Sequence, residues 1–418
     1  VAQLSDDCFA FGAALLPVDA AVAELRARLA PVTGVEQVPL HAAVGRILAE
    51  DLVAPVDLPP FANSAVDGYA LRHADLAPGA ETVLPVGGRV PAGGALGRPI
   101  RPGEAIRIFT GAPMPEGADT VMMQEDAVLL PDGRVRLPAG LKRGANARAA
   151  GEDVRAGTIA LPAGRLLRPQ DVGMAAALGR DTLTVRTRLR VALFSTGDEL
   201  APPGAPLPAL KVYDSNRFTL HAALTRLGCV VTDLGILPDS RAAVAEALAA
   251  AAPAHDLLLT SGGVSTGEED HVKAAVEAAG SLFFWRLAIK PGRPVALGQV
   301  GGTAFAGLPG NPVAVVVTFV HIVRPLALLL AGGAASPPLR FPVRAAFRYR
   351  KKAGRREYVR ASLAAGADGV PEARNFPREG AGLLSSLVET DGLVELGETT
   401  TTLAPGETVA FLPFSELL

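Results

Sequence analysis

Between residues 188 and 330 the apolar positions follow two alternating patterns. RLRVALF, CVVTDLG, DLLLT, SLFFWRLAI and TAFAGL are short apolar runs, whereas SNRFTLHAALTRLG, SRAAVAEALAAAA, EEDHVKAAVEAAG and NPVAVVVTFVHIV carry helical spacing. Strands alternating with helices predict βαβ units around a parallel sheet. Runs such as Leu257 to Leu259 lack polar alternation, as strands covered on both faces do.

The rest of the chain has a different texture. Helical spacing predicts helices in DAAVAELRARLA (19–30) and HAAVGRILAEDL (41–52), which read as one N-terminal module. From about Pro55 to Gly140 short apolar runs are broken by Gly and Pro, and VLLPDGRVRL (128–137) predicts a hairpin. Residues 144–174 then read as a return to the first module, which makes the β-rich piece an insertion. After Gly332, AGGAASPP reads as a linker, and 341–418 returns to short strands and turns. The predicted fold is multidomain α/β: a three-layer α/β domain with a parallel-dominated sheet (181–330), a discontinuous N-terminal mixed helical/β module (1–54 plus 141–180), an inserted β-rich domain (55–140) and a C-terminal β-barrel-like domain (336–418).

Length agrees, since 418 residues exceed what one core usually serves. Gly 45 and Pro 35 are high beside 49% hydrophobic residues, which describes a loop-rich folded protein. Lys plus Arg is 40 and Asp plus Glu 42, so no overall charge points to nucleic acid. Cys8 and Cys229 cannot form a disulfide framework, which favours a reducing, cytoplasmic setting. Asp6 and Asp7 stand where an export signal carries Lys or Arg, so none is expected. The apolar stretch Val313 to Ala335 is interrupted by His321, Arg324 and Pro325, which predicts a buried helix and no membrane span.

In open parallel sheets ligands lie beyond the carboxyl ends of the strands. Three loops predicted there are small and polar: Ser195-Thr196-Gly197-Asp198-Glu199, Ser261 to Asp270, and Leu308-Pro309-Gly310-Asn311-Pro312. Gly262, Gly263 and Gly267 permit a turn with inward N–H groups, and Thr266 with Glu269 forms a capping box; such a helix start can hold phosphate. Asn311 before Pro312 predicts a second helix start at the same edge. Asp198, Glu199, Asp256, Glu268, Glu269 and Asp270 place carboxylates at or near this edge, as Mg²⁺ prefers, although acidic residues also suit a first helical turn. Arg286, Lys290 and Arg293, around a Pro-Gly turn, supply an anion clamp when set beside those loops.

No Walker loop and no dinucleotide fingerprint occurs, and six histidines show no metal spacing. Gly263 to Gly267 formally matches G-x-S-x-G, which leaves a serine hydrolase using Ser265 as a remote alternative, with His321 its one distant downstream base.

PPFANSAVDGYALR, RIFTGAPMPEGADTVMMQED, FSTGDEL, VYDSNR, TSGGVSTGEEDHVK, FWRLAIKPGRPVALG and AGLPGNPVA occur in the order that resembles the MoeA family of molybdopterin molybdenumtransferases, to which the gephyrin E domain is related. The resemblance runs from about residue 15 to 418. It implies a homodimer in which 188–330 is a MogA-like molybdopterin-binding domain. The implied activity inserts molybdate into adenylylated molybdopterin with Mg²⁺, releasing AMP, with a MogA-type adenylyltransferase as functional partner. A scaffold of the gephyrin type, with catalysis lost, is the implied alternative.

By motif, Asp198, Glu199, Asp256 and Asp270 would form the acidic pocket, with Asp198, Glu199 and Asp270 placing Mg²⁺. Lys290 and Arg293 would hold anions, with Arg286 where the family often has Lys. Ser195, Thr196, Gly197, Ser261, Gly262, Gly263, Ser265, Pro309, Gly310 and Asn311 would line the substrate site. The partner subunit would bring Asp67, Thr110, Arg148 and Asp153. Ser385 matches a family segment near the pocket. Arg344 to Arg360 holds eight cations and one anion, Glu357; alone it reads as a solvated hairpin, and beside the cleft it would steer the substrate.

Overall fold

The computed structural model describes residues 15–262 and 271–418. The α/β domain is built from β1 (Arg190–Thr196), α1 (Asn216–Arg226), β2 (Val230–Leu237), α2 (Arg241–Ala251), β3 (Leu257–Ser261), α3 (His271–Ala279), β4 (Gly280–Arg286), β5 (Pro294–Val300), β6 (Thr303–Leu308) and α4 (Pro312–Leu330). Its sheet runs β2-β1-β3-β6-β5-β4. β2, β1, β3 and β6 are parallel, and β5 and β4 close the edge antiparallel. Val191, Leu193, Leu257, Leu259 and Ala306 feed one core, and Ala192, Phe194, Leu258 and Phe305 feed another on the opposite side. The missing alternation in DLLLT is thus explained, since every one of its strand positions is buried. Pro312–Leu330 is apolar enough to cross a membrane, yet 89% of its most apolar window is buried core. Within it Phe319–Val323 is a π turn.

Six strands between Gly68 and Leu137 form the β-rich sheet, including the predicted hairpin Val128–Leu129 with Arg134–Leu137. The N-terminal region departs from expectation in two places. HAAVGRILAEDL is no helix: a short 3₁₀ turn at Leu40–Ala42 ends before Gly45, whose φ of 75° lies in the left-handed region, and Ile47 and Leu48 then bridge to Leu166 and Val185. The helix Val18–Arg28 does form, but Val18, Ala21 and Leu25 bury against the α/β core, whereas Leu48 and Leu52 belong to a separate cluster.

In the C-terminal region β7 (Phe341–Ala345), β8 (Arg356–Ala365), β9 (Pro371–Asn375), β10 (Gly392–Leu396) and β11 (Thr408–Pro413) close into a five-stranded barrel, β8 pairing with both β9 and β10. The short strand Ile289–Lys290 adds to β8 and joins the barrel to the α/β domain.

Candidate functional site

Register decides where the three polar loops begin. Ser195 pairs with Ser261 and Ser261 with Leu308, so all three leave the sheet at one level of its carboxyl edge. Close backbone approach holds them together. Gly262, at φ 93°, would put a Cβ 2.8 Å from the Thr196 carbonyl oxygen, so only glycine fits between the first two loops. Gly197 is constrained by its φ of 146°, and the space a Cβ would take is occupied by the Glu199 carboxylate, with an oxygen 2.6 Å away. That carboxylate lies folded over the Gly197 backbone, with Asp198 exposed beside it. Ser195 and Thr196 are buried at the end of β1, and their hydroxyls have no partner among the described residues.

Asn216 fastens the arrangement, a role the sequence reading missed. Its Nδ2 donates to Ser261 Oγ at 3.0 Å and to the Gly310 carbonyl at 2.6 Å, and Ser261 Oγ donates to the Pro309 carbonyl at 3.4 Å. Two neutral hydrogen bonds of this kind hold about 1–3 kcal/mol of loop geometry. Asn216→Ala is expected to lower kcat/KM of the transferase reaction about tenfold while changing unfolding stability little; steady-state kinetics and a thermal melt together check this.

The cationic turn reaches the same edge by packing. Gly292, at φ 102°, sits so close to α4 that a Cβ would meet Thr318 Cγ2 at 2.6 Å. Lys290 Nζ lies 3.2 Å from Glu357 Oε2, and Arg293 is exposed. Glu357 is 1% exposed and also accepts from Tyr349 Oη at 3.1 Å and Arg355 Nε at 3.0 Å. The lone anion of the arginine-rich segment is therefore the anchor of Lys290. Reading that segment as a solvated hairpin holds for Arg348, Arg350 and Lys352, which are exposed, and is corrected for its end: Arg356 to Ala361 are buried, because the barrel strand is covered from outside by the α/β domain and the N-terminal helix. Arg286 ends β4, opposite Pro294. Pro309 is half-buried, and Gly310 and Asn311 are exposed at the start of α4. Asn311 holds the N-cap position, but its side chain accepts no capping hydrogen bond.

Asp67 and Thr110 form a second, separate group. Asp67 Oδ1 accepts from the Thr110 amide and hydroxyl, each at 2.8 Å. Those two donors hold the Asp67 carboxyl below the usual carboxylate range, so it stays charged. Arg148 is exposed on a two-residue strand paired with Asn63–Ser64, and the exposed Asp153 donates its amide to the Leu58 carbonyl at 3.0 Å. All four thus sit close to residues 58–68, and no hydrogen bond or ion pair among the described residues links them to the sheet edge.

Asp256 is a correction. It precedes β3 and accepts from Arg190 N at 2.8 Å, Nε at 3.2 Å and Nη2 at 2.8 Å. Arg190 starts β1, so this clamp ties the amino ends of two strands, the edge opposite the polar loops. Gly263, Ser265, Glu268, Glu269 and Asp270, with the capping box, lie outside the described residues. Ser385 is half-buried at the head of a short helix, whereas its neighbour Ser386 is buried and accepts from Arg360 Nε at 3.0 Å. His321 is buried in the π turn, stacked on Tyr358 with ring centroids 4.3 Å apart, and belongs to the wall shared with the barrel.

Small polar loops, exposed carboxylates and a cationic turn at one sheet edge define an α/β domain with a candidate ligand site, embedded in a multidomain chain. Comparison with known proteins is specific. The description of the MoeA N-terminal region, domains I and II, matches residues 16–179; the probable molybdopterin binding domain matches 192–328; and the MoeA C-terminal region, domain IV, matches 342–414. The molybdopterin molybdenumtransferase of Haemophilus influenzae is 39% identical over 405 residues, 97% of this chain and 100% of its own. Molybdopterin molybdenumtransferase 2 of Mycobacterium tuberculosis is 40% identical over 325 residues, 76% of this chain and 79% of its own. A crystal structure of the molybdopterin biosynthesis MoeA protein from Pyrococcus horikoshii OT3 superposes with a TM-score of 0.78 at 29% identity, covering 96% of this chain and 100% of that one. The chain belongs to the MoeA family. It is a molybdopterin molybdenumtransferase of molybdenum cofactor biosynthesis, with molybdopterin and molybdate as substrates.

Proposed function

We propose that the substrate is adenylylated molybdopterin and that molybdate insertion releases AMP. The observation that carries this reading is the convergence of Ser195–Glu199, Ser261–Gly262 and Pro309–Asn311 at one sheet edge, fastened by Asn216 and flanked by the Lys290–Arg293 turn. Lys290 and Arg293, on the turn at this edge, suit the negative charge of the phosphates. Glu357 fixes Lys290 from the barrel side, so the ammonium meets the substrate in one position. Asp198 and Glu199 are adjacent oxygen donors open to solvent, as a Mg²⁺ ion requires when phosphate and water complete its shell. They would hold it, and when bound it would polarise the adenylyl phosphate.

The Asp67–Thr110 pair and Arg148 are assigned to the same reaction, supplied to the edge by the second subunit of a homodimer. A MogA-type adenylyltransferase would provide the substrate, and the cytoplasm, where thiols stay reduced, suits its dithiolene.

The purified protein with adenylylated molybdopterin, molybdate and Mg²⁺ is expected to release AMP and yield cofactor that activates an apo-molybdoenzyme. Chelation of Mg²⁺ is expected to suppress AMP release at least tenfold, with recovery on adding it back. Binding of the substrate without AMP release would identify a scaffold and overturn the catalytic reading.

A further inference from the structure

Asp67 is held by more than the Thr110 donors, and the residues around it converge on one side chain. In the β-rich sheet the strand Gly68–Leu71 lies between Ala105–Ile108 and Thr120–Met123, and Asp67 immediately precedes it. Arg107 stands across from Tyr69, next to the Gly68–Ile108 pair.

From there Arg107 reaches Asp67 by separate routes. Its Nη1 donates to the carbonyl of Gly68, the residue after Asp67, at 3.2 Å. Its Nη2 donates to Gln124 Oε1, and the Gln124 amide in turn donates to the Asp67 carbonyl at 3.0 Å. The same guanidinium lies over the Phe109 ring, with Cζ 4.8 Å from the centroid, and Arg89 Cζ lies over that ring at 4.7 Å. Cations held over a ring restrain it, and Phe109 directly precedes Thr110, whose amide and hydroxyl both donate to Asp67 Oδ1. The strand itself leaves no slack at this point: a Cβ on Gly68 would stand 1.9 Å from the Met122 carbonyl oxygen. Charge acts in the same direction as geometry. The Thr110 donors lower the Asp67 carboxyl most, and the Arg107 charge lowers it further.

We propose that Arg107 is a positioning residue for Asp67, a planar fork that fixes Gly68, Gln124 and Phe109 together and so aims the Asp67 carboxylate in the transferase reaction. The inference rests on the assignment of Asp67 to that reaction. A lysine would keep the charge but not the pair of in-plane donors or the flat face over the ring. Misplacing a reacting group by about 1 Å costs up to about 100-fold in rate, so loss of the fork belongs below that ceiling.

The test is a kinetic cycle on the full-length protein, with kcat/KM read from formation of molybdenum cofactor. Arg107→Met keeps an unbranched stem beside Phe109 and removes the fork, and kcat/KM is expected to fall about tenfold. In the Asp67→Ala background the same change is expected to cost less than about twofold, since nothing is left to aim. Arg107→Lys is expected to share the loss of Arg107→Met. Gln124→Ala removes one arm and leaves the strands and the ring contacts in place; it is expected to cost about threefold in the parent and nothing further in Asp67→Ala. A thermal melt establishes that each variant is folded, and Gln124→Ala carries the cycle if Arg107→Met does not fold. Equal losses in the parent and Asp67→Ala backgrounds, parent-like turnover of Arg107→Met, or full rescue by lysine would each overturn the positioning role. An Asp67→Ala protein with parent activity would overturn the assignment of Asp67 itself, and the role of Arg107 with it.

Discussion

A one-to-one mixture of Asp67→Ala and Glu199→Ala subunits is expected to recover about a quarter of the parent transferase activity, although each variant alone loses about 100-fold or more. The expectation follows from two groups of residues that one chain keeps apart. Glu199 sits at the carboxyl edge of the α/β sheet, whereas Asp67 is held by Thr110 on the β-rich sheet, its charge maintained by two 2.8 Å hydrogen bonds. If each site draws Asp67 from one subunit and Glu199 from the other, a mixed dimer holds one site with both lesions and one with neither. Random pairing makes half of the dimers mixed, and half of the sites in those are intact. If each chain builds its site alone, every site in the mixture carries a lesion and no activity returns. Co-expression with two affinity tags, followed by AMP-release assays on the doubly purified mixed dimer, where the expected recovery rises to about half, measures the outcome. An unrestored mixed dimer would remove the Asp67 group from the partner's role proposed for it.

What was legible in the sequence, and what was not, divides along the range of the interactions. The loops after β1, β3 and β6 could be read because small polar residues following an apolar run place themselves at a strand end, and strand direction in a parallel sheet is shared. Strand direction also explains the misplacement of Asp256, which stands before its apolar run and so belongs to the amino edge, where Arg190 holds it. Asn216 looked like an ordinary helix start, since its partners Ser261 and Gly310 are 45 and 94 residues away and no local pattern marks them. HAAVGRILAEDL has helical spacing, but Gly45 turns the chain and its apolar positions find partners across a different module. The arginine-rich segment was opaque for the same reason: Arg356 is neutralised by Asp19, Glu395 and Glu398, and Arg344 by Asp368 and Glu372, all outside the segment. Near-neutral net charge therefore hides a local pairing at Lys290 and Glu357.

Arg217→Met is expected to destabilise the α/β domain by about 3–5 kcal/mol, because it leaves a buried carboxylate without its counter-charge. Arg217 and Asp214 are 6% and 2% exposed, and Nε lies 2.8 Å from Asp214 Oδ2 while Nη1 pairs with Asp233. One guanidinium thus serves two carboxylates through different nitrogens, a geometry that a lysine ammonium cannot reproduce. Adding Asp214→Asn to Arg217→Met removes the stranded charge and is expected to return part of the loss, with the two sites strongly non-additive. Urea unfolding followed by the fluorescence of Trp285 reads this domain, since Trp285 is the sole tryptophan and lies fully buried in β4. A loss below about 1 kcal/mol would mean that the pair is solvated and the buried network does not exist as described. The same substitution bears on catalysis, because Arg217 follows Asn216 in the first turn of α1. Losing the anchor to Asp214 frees that turn, and with it the clamp on Ser261 and Gly310. Below the unfolding transition, Arg217→Met is therefore expected to show the kcat/KM loss of Asn216→Ala. An Arg217→Met protein that unfolds early yet turns over normally while folded would separate the ion pair from the positioning of the loops.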